Sequence, residues 1–300
     1  MINDQQLIAN LAEELDNLSV DLILILGPTA SGKTKLAVEL AAMINAEIIS
    51  VDSRQVYRGM DIGTGKDLAE YKDIPYHLID IINPGEKYNI SRFLEDFDLA
   101  YKEIKAKGKK VIACGGTGFY LQALIDAKPY AQIPIDDAFR NSLLPLAKDE
   151  LLTQLDAYAL PANFVVDRSS KKRIIRALEI VRFLEENPTH HIKEQATYSA
   201  IVYGINPALA VRRQRITDRL MQRLASGMIA EVENLLSAGV SNEELEYYGL
   251  EYKYISYYLK GELSYADFLK KLETEIHRYA KRQMTYFRKM EKDGIVIKWF

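Results

Sequence analysis

Leu22–Ala41 reads LILILGPTASGKTKLAVELA. Its first five residues are apolar and of strand length. Gly27 ends them, a loop of small residues follows, and Thr34 to Ile44 has a helical pattern with Leu36, Val38, Leu40 and Ala41 available to pack. The loop has the spacing Gly27-x-x-x-x-Gly32-Lys33-Thr34. Between a strand and a helix, that spacing cradles phosphates. The backbone N–H groups of Ala30 to Lys33 point inward at a helix N-terminus, where peptide dipoles favour an anion. Gly27 and Gly32 allow close approach, Lys33 adds a point charge, and Thr34 offers a hydroxyl to Mg²⁺. Such a loop, of the nucleotide-binding type, specifies a di- or triphosphate and a metal. It does not specify that phosphorus is transferred.

Outward from the loop, apolar runs alternate with helical patterns. AEIISVD (46–52) and YHLIDI (76–81) read as strands. Residues 90–110 read as a helix, with Phe93, Phe97, Ala100, Tyr101 and Ile104 at helical spacing. VIACGGTGFYLQAL (111–124) repeats the strand, glycine turn and helix, and residues 1–18 form a short amphipathic lead-in. Strands alternating with helices give parallel β/α units. The expected fold class is α/β: a P-loop NTPase-like parallel sheet flanked by helices, with a helical insertion domain. In such sheets ligands sit at the carboxyl ends of the strands. Gly27–Thr34, Asp52 and Gly115–Thr117 all follow strand ends. Beyond residue 128 prolines punctuate short helical stretches. Residues 131–196 are expected as the insertion, and 1–130 with 197–300 as the core. SAIVYGI (199–205) and GIVIKWF (294–300) supply the later strands.

Composition excludes several classes. One cysteine, Cys114, permits no internal disulfide, and four scattered histidines assemble no zinc cluster. His190 and His191 are neighbours, and neighbours on a helix do not face one site. The acidic N-terminal stretch lacks the apolar core of a signal peptide, and no apolar run approaches the ~18 residues of a membrane helix. A cytoplasmic protein with no membrane partner, monomeric by default, is the expectation.

Net charge is −3 over 300 residues, but its distribution is uneven. Arg168 to Arg223 holds 12 Lys+Arg against 5 Asp+Glu, a net of +7 that leaves −10 elsewhere. Lys172 and Arg176 share one helical stripe. Arg212, Arg215, Arg219 and Arg223 form a second ridge, and Arg278, Lys281, Arg282 and Lys289 a third. Three basic ridges on a mildly acidic chain suggest a polyanion surface; solvated helix faces are the simpler explanation of any one of them.

Asp52 ends an apolar strand about twenty residues after the loop. It could bind magnesium, or accept a proton from an exocyclic amine, or simply stand where a strand meets water. DIGTGK (61–66) has the composition of a binding turn. Thr117 sits at a helix start, where its hydroxyl caps the helix or meets a ligand. The tyrosines of 245–262 could stack on bases, though packing of a helix hairpin is the commoner use.

GPTASGKT, AEIISVDSRQVYRGMDIGTGK, YHLIDI, GGTGFYL, RIIRALEI, QRITDRL…LASGMIAEV and YAKRQMTYFRK stand here in one order, from Ile25 to Arg288. In that order the chain resembles the tRNA dimethylallyltransferases (tRNA isopentenyltransferases, the IPP transferase family). The resemblance implies transfer of a dimethylallyl group from dimethylallyl diphosphate to N6 of the adenosine 3′ of the anticodon, with release of diphosphate. It implies Asp52, Thr29, Lys33 and Arg215 as catalytic residues. The diphosphate would lie on Gly27, Pro28, Thr29, Ala30, Ser31, Gly32, Lys33 and Thr34, with Arg219 second to Arg215, and Mg²⁺ on Thr34. The anticodon stem-loop would meet Asp52, Ser53, Arg54, Gln55, Thr117, Arg140, Lys172, Arg173, Ile174, Ile175 and Arg176. The chain departs from the family pattern at DIGTGKD, where members usually read DIGTAKP, and at GLEYKY (249–254), where many bacterial members read GYRQM or GYREM.

The residues alone leave other readings open: an isopentenyltransferase acting on free AMP or ADP, a P-loop kinase of small metabolites, and an RNA-binding protein switched by a nucleoside triphosphate. The first two lack a use for the basic ridges.

Overall fold

The computed structural model describes residues 4–161, 164–192 and 195–300. These divide into two compact units, one of residues up to 126 together with 196 onward, the other of residues 127–195.

The first unit begins with helix α1 (Asp4–Asp16). Strand β1 (Leu22–Leu26) then leads into α2 (Lys33–Ile44). β2 (Ala46–Val51) and the two-residue β3 (Tyr76–His77) follow. Asn89 caps α3 (Ile90–Ala106) by accepting from the Arg92 amide at 3.1 Å. After it come β4 (Lys110–Gly115) and α4 (Gly118–Ile125). The second unit holds α5 (Asp137–Leu143), α6 (Lys148–Asp156) and α7 (Lys171–Glu186). The chain returns with β5 (Ala200–Gly204), then α8 (Leu209–Ala225), α9 (Met228–Ser237), α10 (Asn242–Tyr248) and α11 (Leu250–Leu259). The long α12 (Tyr265–Lys292) and β6 (Lys298–Trp299) close the unit.

The six strands make one parallel sheet in the order β3-β2-β4-β1-β5-β6. This is a P-loop NTPase-like sheet flanked by helices. β1 is apolar throughout because both its faces are covered. Leu22, Leu24 and Leu26 enter the core beneath α3, α4 and the C-terminal helices, while Ile23 and Ile25 pack with α1 and α2 on the other side. Each such fully buried side chain contributes roughly 1.5–3 kcal/mol. The second unit has its own core, built on Leu143, Leu151, Leu155, Ile174 and Leu178.

YHLIDI differs from its expected strand. Only Tyr76 and His77 pair with β2. Leu78 and Asp80 adopt positive φ, 61° and 56°, and a left-handed residue turns the chain out of an extended ladder. Cys114 is a buried core residue, and burial pushes its thiol up to about 12. Among the described residues no helix is long and apolar enough to cross a membrane.

Candidate active site

Strand register sets the site. Gly115 at the end of β4 pairs with Leu26 of β1 on one side and Val51 of β2 on the other. The next residues, Gly27, Gly116 and Asp52, therefore leave the sheet at one level. They open into a cavity of about 640 Å³, whose wall includes the Thr29–Lys35 loop, Asp52–Gln55, and arginines 215, 219 and 223 of α8.

The loop is a cradle built by backbone conformation. Ala30 (φ 60°) and Gly32 (φ 93°) are left-handed, which turns successive amides to one side. Gly32 stands at the N-cap of α2, and no side chain caps that helix. The Thr29 amide is tied off by Gln283 Oε1 at 2.8 Å, and Gln283 Nε2 donates to the Gly116 carbonyl at 3.0 Å. Gln283 of α12 thus fastens the loop to the β4–α4 turn. Ser31 is buried, and its Oγ has no partner. The Lys33 ammonium forms no ion pair or hydrogen bond among the described residues; burial lowers its pKa, and Arg219 lowers it further. An orphaned hydroxyl, an unpaired ammonium and inward amides are what a bound anion would satisfy.

Two arginines of α8 face this loop. Arg219 Nη2 donates to Thr29 Oγ1 at 2.5 Å. Burial, then the neighbouring Arg223, bring the Arg219 pKa down to about 10, so it stays charged at neutral pH. Arg215 is exposed, and its Nη1 reaches the Ser31 carbonyl at 3.3 Å. Arg219, expected second, therefore stands deeper than Arg215. The later part of the α8 ridge turns inward rather than out to solvent: Arg223 is 8% exposed and pairs with Asp67 at 3.1 Å.

Asp52 lies at the carboxyl end of β2. Its Oδ1 accepts from the Arg54 amide at 2.8 Å and the Gln55 amide at 3.4 Å, a local turn that orients the carboxylate. Oδ2 forms no hydrogen bond among the described residues. Gln55 is braced in turn: Ser50 Oγ donates to its Oε1 at 2.9 Å, and its Nε2 donates to the Gly65 carbonyl at 2.9 Å. Thr117 does not cap α4; its Oγ1 accepts from the Ser53 amide at 3.4 Å. The Arg54 guanidinium lies 4.3 Å from the centre of the Tyr247 ring. A hydroxyl in the first turn of α2, Thr34, lines the same cavity without a hydrogen-bond partner among the described residues. With diphosphate oxygens it offers the hard oxygen donors that Mg²⁺ takes, so these residues fit that metal.

Several expectations are corrected. Ile174 and Ile175 are 0% and 3% exposed and form the core of the second unit, so neither presents a contact surface. The Arg176 guanidinium donates to the carbonyls of Tyr130, Ile133 and Pro134 and pairs with Glu179; Arg140 pairs with the same carboxylate at 2.6 Å. Both brace the insertion. Lys172 and Arg173 are exposed, and Arg173 pairs with Asp167. Lys66 of the DIGTGK turn is buried between Asp61, Asp80 and the Tyr57 carbonyl, so it holds the turn closed. In the third ridge Arg278 pairs with Glu275 and Lys289 with Asp293.

Cavity residues that motif reading passed over are Glu70, Arg223, Glu251, Tyr279 and Gln283. Burial raises the pKa of Glu70 and of Glu251. Gln283 lies inside the quoted YAKRQMTYFRK, and Glu251 inside the departing GLEYKY. Those two stretches were the only available signals.

An anion cradle after β1, with a carboxylate at the end of the adjoining β2–β4 pair, is the site of a P-loop NTPase-like fold. The chain belongs to the IPP transferase family, whose model matches residues 55–290. A second model, isopentenyl transferase, matches residues 20–73. The chain is 46% identical over 282 residues to tRNA dimethylallyltransferase 1 of Geotalea uraniireducens (strain Rf4), covering 94% of this chain and 93% of that one. It is 48% identical over 283 residues to tRNA dimethylallyltransferase 1 of Azobacteroides pseudotrichonymphae genomovar. CFP2, covering 93% and 92%. The full-length tRNA isopentenylpyrophosphate transferase of Bacillus halodurans superposes with a TM-score of 0.68 at 32% identity, covering 93% of this chain and 89% of that one. A eukaryotic dimethylallyltransferase acting on tRNA shares the fold, with a TM-score of 0.72 at 24% identity, covering 93% and 73%.

Proposed function

We propose that this enzyme prenylates tRNA: it transfers a dimethylallyl group from dimethylallyl diphosphate to N6 of the adenosine 3′ of the anticodon. The observation that carries the reading is that an anion cradle and the Asp52 carboxylate open into one cavity, with Arg219 bonded to Thr29 between them. The cradle residues Gly27–Thr34 hold the diphosphate of the donor. The target base leaves its stack to enter. N6 forms a bond to C1 of the donor as the C1–O bond breaks, diphosphate departs with that electron pair, and Asp52 takes the N6 proton. Lys33, Arg219 and Arg215 stabilise the charge that grows on the leaving diphosphate. Thr29, held by Arg219, lies by the breaking bond. Magnesium on Thr34, when bound, adds further neutralisation of that diphosphate.

The cradle, Asp52 and the cavity arginines line one cavity within a single chain, so the site needs no residue from a second copy, and the proposal takes the acting form as a monomer on the anticodon stem-loop. Ser53, Arg54, Gln55 and Thr117 flank Asp52 and meet the loop bases; Lys172 and Arg173 meet phosphates. Relatives named for tRNA do not favour phosphoryl transfer to a metabolite or modification of free AMP or ADP. The test mixes protein, Mg²⁺, dimethylallyl diphosphate and a stem-loop RNA with adenosine beside the anticodon. The RNA is expected to gain one five-carbon unit by mass spectrometry; ATP consumption with unmodified RNA contradicts the reading.

A further inference from the structure

Arg223 stands at the far end of α8 from the basic residues that reach the loop. Its guanidinium occupies the space beside Gly65 where a side chain would stand. A Cβ built on Gly65 would overlap three atoms of that guanidinium, and Gly65 itself is left-handed at φ 66°. Arg223 is 8% exposed, its Nη2 pairs with Asp67 Oδ2 at 3.1 Å, and its buried Nε has no partner. The carbonyl of Gly65 receives Gln55 Nε2 at 2.9 Å. The amide of Gln55 reaches Asp52 Oδ1 at 3.4 Å. The rest of the turn is pinned elsewhere: Glu231 accepts the amides of Asp61, Ile62 and Gly63 at 2.8, 2.7 and 3.0 Å, and Lys66 bridges its two ends. The Gly65 amide donates to the Asp61 and Ile62 carbonyls at 3.1 and 3.2 Å, and Arg223 adds a side-chain stop against Gly65 and a counter-charge to Asp67.

We propose that Arg223 is a positioning residue for Asp52, acting through the Gly65 carbonyl and Gln55. The guanidinium packs against Gly65 and pairs with Asp67, which restricts the movement of the carbonyl that receives Gln55. Gln55 then presents its amide to Asp52 in one orientation. A long cation anchored at both ends does this across a helix-to-loop gap that an apolar side chain would leave loose. The pairing explains two sequence features together: glycine at 65, where any side chain would displace the arginine, and aspartate at 67, its counter-charge.

This inference rests on Asp52 as the proton acceptor. The test compares wild type with Arg223→Met, Gly65→Ala and the double variant, measuring kcat and KM for both substrates on the stem-loop RNA. Misplacing the base by a fraction of an ångström is expected to lower kcat roughly ten- to a hundredfold in each single variant. Both KM values should change by less than about twofold, because Arg223, though it lines the cavity, is engaged by Asp67 and packed against Gly65. The double variant is expected to be no slower than the slower single one, since both changes break one contact. Unchanged kcat in both single variants overturns the proposal. A donor KM that rises at constant kcat also overturns it, by making Arg223 a diphosphate ligand. Amide NMR gives a readout apart from activity: the Gln55 side-chain resonance is expected to shift in Arg223→Met, and an unmoved resonance overturns the proposal. A wild type that prenylates no RNA sinks the functional reading, while the Gln55 resonance still decides this one.

Discussion

Arg219 of α8 donates from Nη2 to the hydroxyl of Thr29, the third residue of the phosphate loop, 190 positions away in sequence. A cation from the far side of the cavity is thereby built into the loop before any substrate arrives. Burial and the neighbouring Arg223 lower the Arg219 pKa, and the contact fixes the position of the Thr29 hydroxyl.

Replacing Arg219 with Ala should remove the charge best placed for the leaving diphosphate. Loss of one such preorganised donor costs roughly 10²–10³ in kcat. Arg215→Ala should cost less, because that side chain is exposed and touches only the Ser31 carbonyl. Steady-state rates of RNA prenylation check the order. Equal losses in the two variants would contradict the placement.

Asp52→Asn keeps the shape of the turn at Arg54 and Gln55 but cannot take a proton at neutral pH. General-base loss predicts a fall of roughly 10²–10⁴ in the single-turnover rate. RNA affinity, measured by filter binding, should hold to within a few-fold, since Asp52 supplies no positive charge. A matching collapse of both quantities would assign Asp52 to binding instead.

Arg176 and Lys172 lie one helical turn apart and should behave differently. Arg176→Ala strips hydrogen bonds from three carbonyls and leaves the buried Glu179 with Arg140 alone. A destabilisation of roughly 2–4 kcal/mol is expected, seen as a lowered melting temperature. Lys172→Ala should leave melting alone and reduce the slope of log affinity against log salt by about 1. A lowered slope without lost stability in Arg176→Ala would restore that arginine as a phosphate contact.

Glu47 gives a pH signature far from the cavity. It is 2% exposed on β2. Burial alone would raise its pKa, but hydrogen bonds from Lys109, His77 and Lys107 hold it down to about 2. A carboxyl whose folded pKa lies below its ordinary 4.5 stabilises the fold above that value. The contribution is lost as pH falls from about 4.5 toward 2. Glu47→Gln should melt lower than wild type at pH 7, by an amount worth up to roughly 3 kcal/mol, and converge with it near pH 2. A constant gap across that range would show that Glu47 acts through packing.

How much was legible follows from range in sequence. The β1 run, Gly27–Thr34, and Asp52 at a strand end could be named because each is a local pattern: a continuous apolar run, loop spacing, a carboxylate after an apolar stretch. The insertion helix was legible as a helix, yet the roles of its side chains were not. Lys172 and Arg176 share a stripe, but whether a stripe faces water or the carbonyls of residues 130–134 depends on what packs beside it. The same holds for α8, where Arg215, Arg219 and Arg223 line a cavity instead of coating a surface. Gln283 and Glu251 were marked only by lying inside YAKRQMTYFRK and GLEYKY, and Arg223 only as a member of the α8 ridge.

By itself, the order of residues determined a parallel β/α sheet, an anion cradle and the family to which the chain belongs, because strand, loop and helix formation depend on neighbours within a few positions. The tertiary structure alone decided which arginine meets Thr29, which basic side chains brace the insertion, and that Gly65 and Arg223 occupy each other's space. Those contacts join segments 40 to 190 residues apart, and no spacing rule carries information over such a distance; only the packing of the folded chain does.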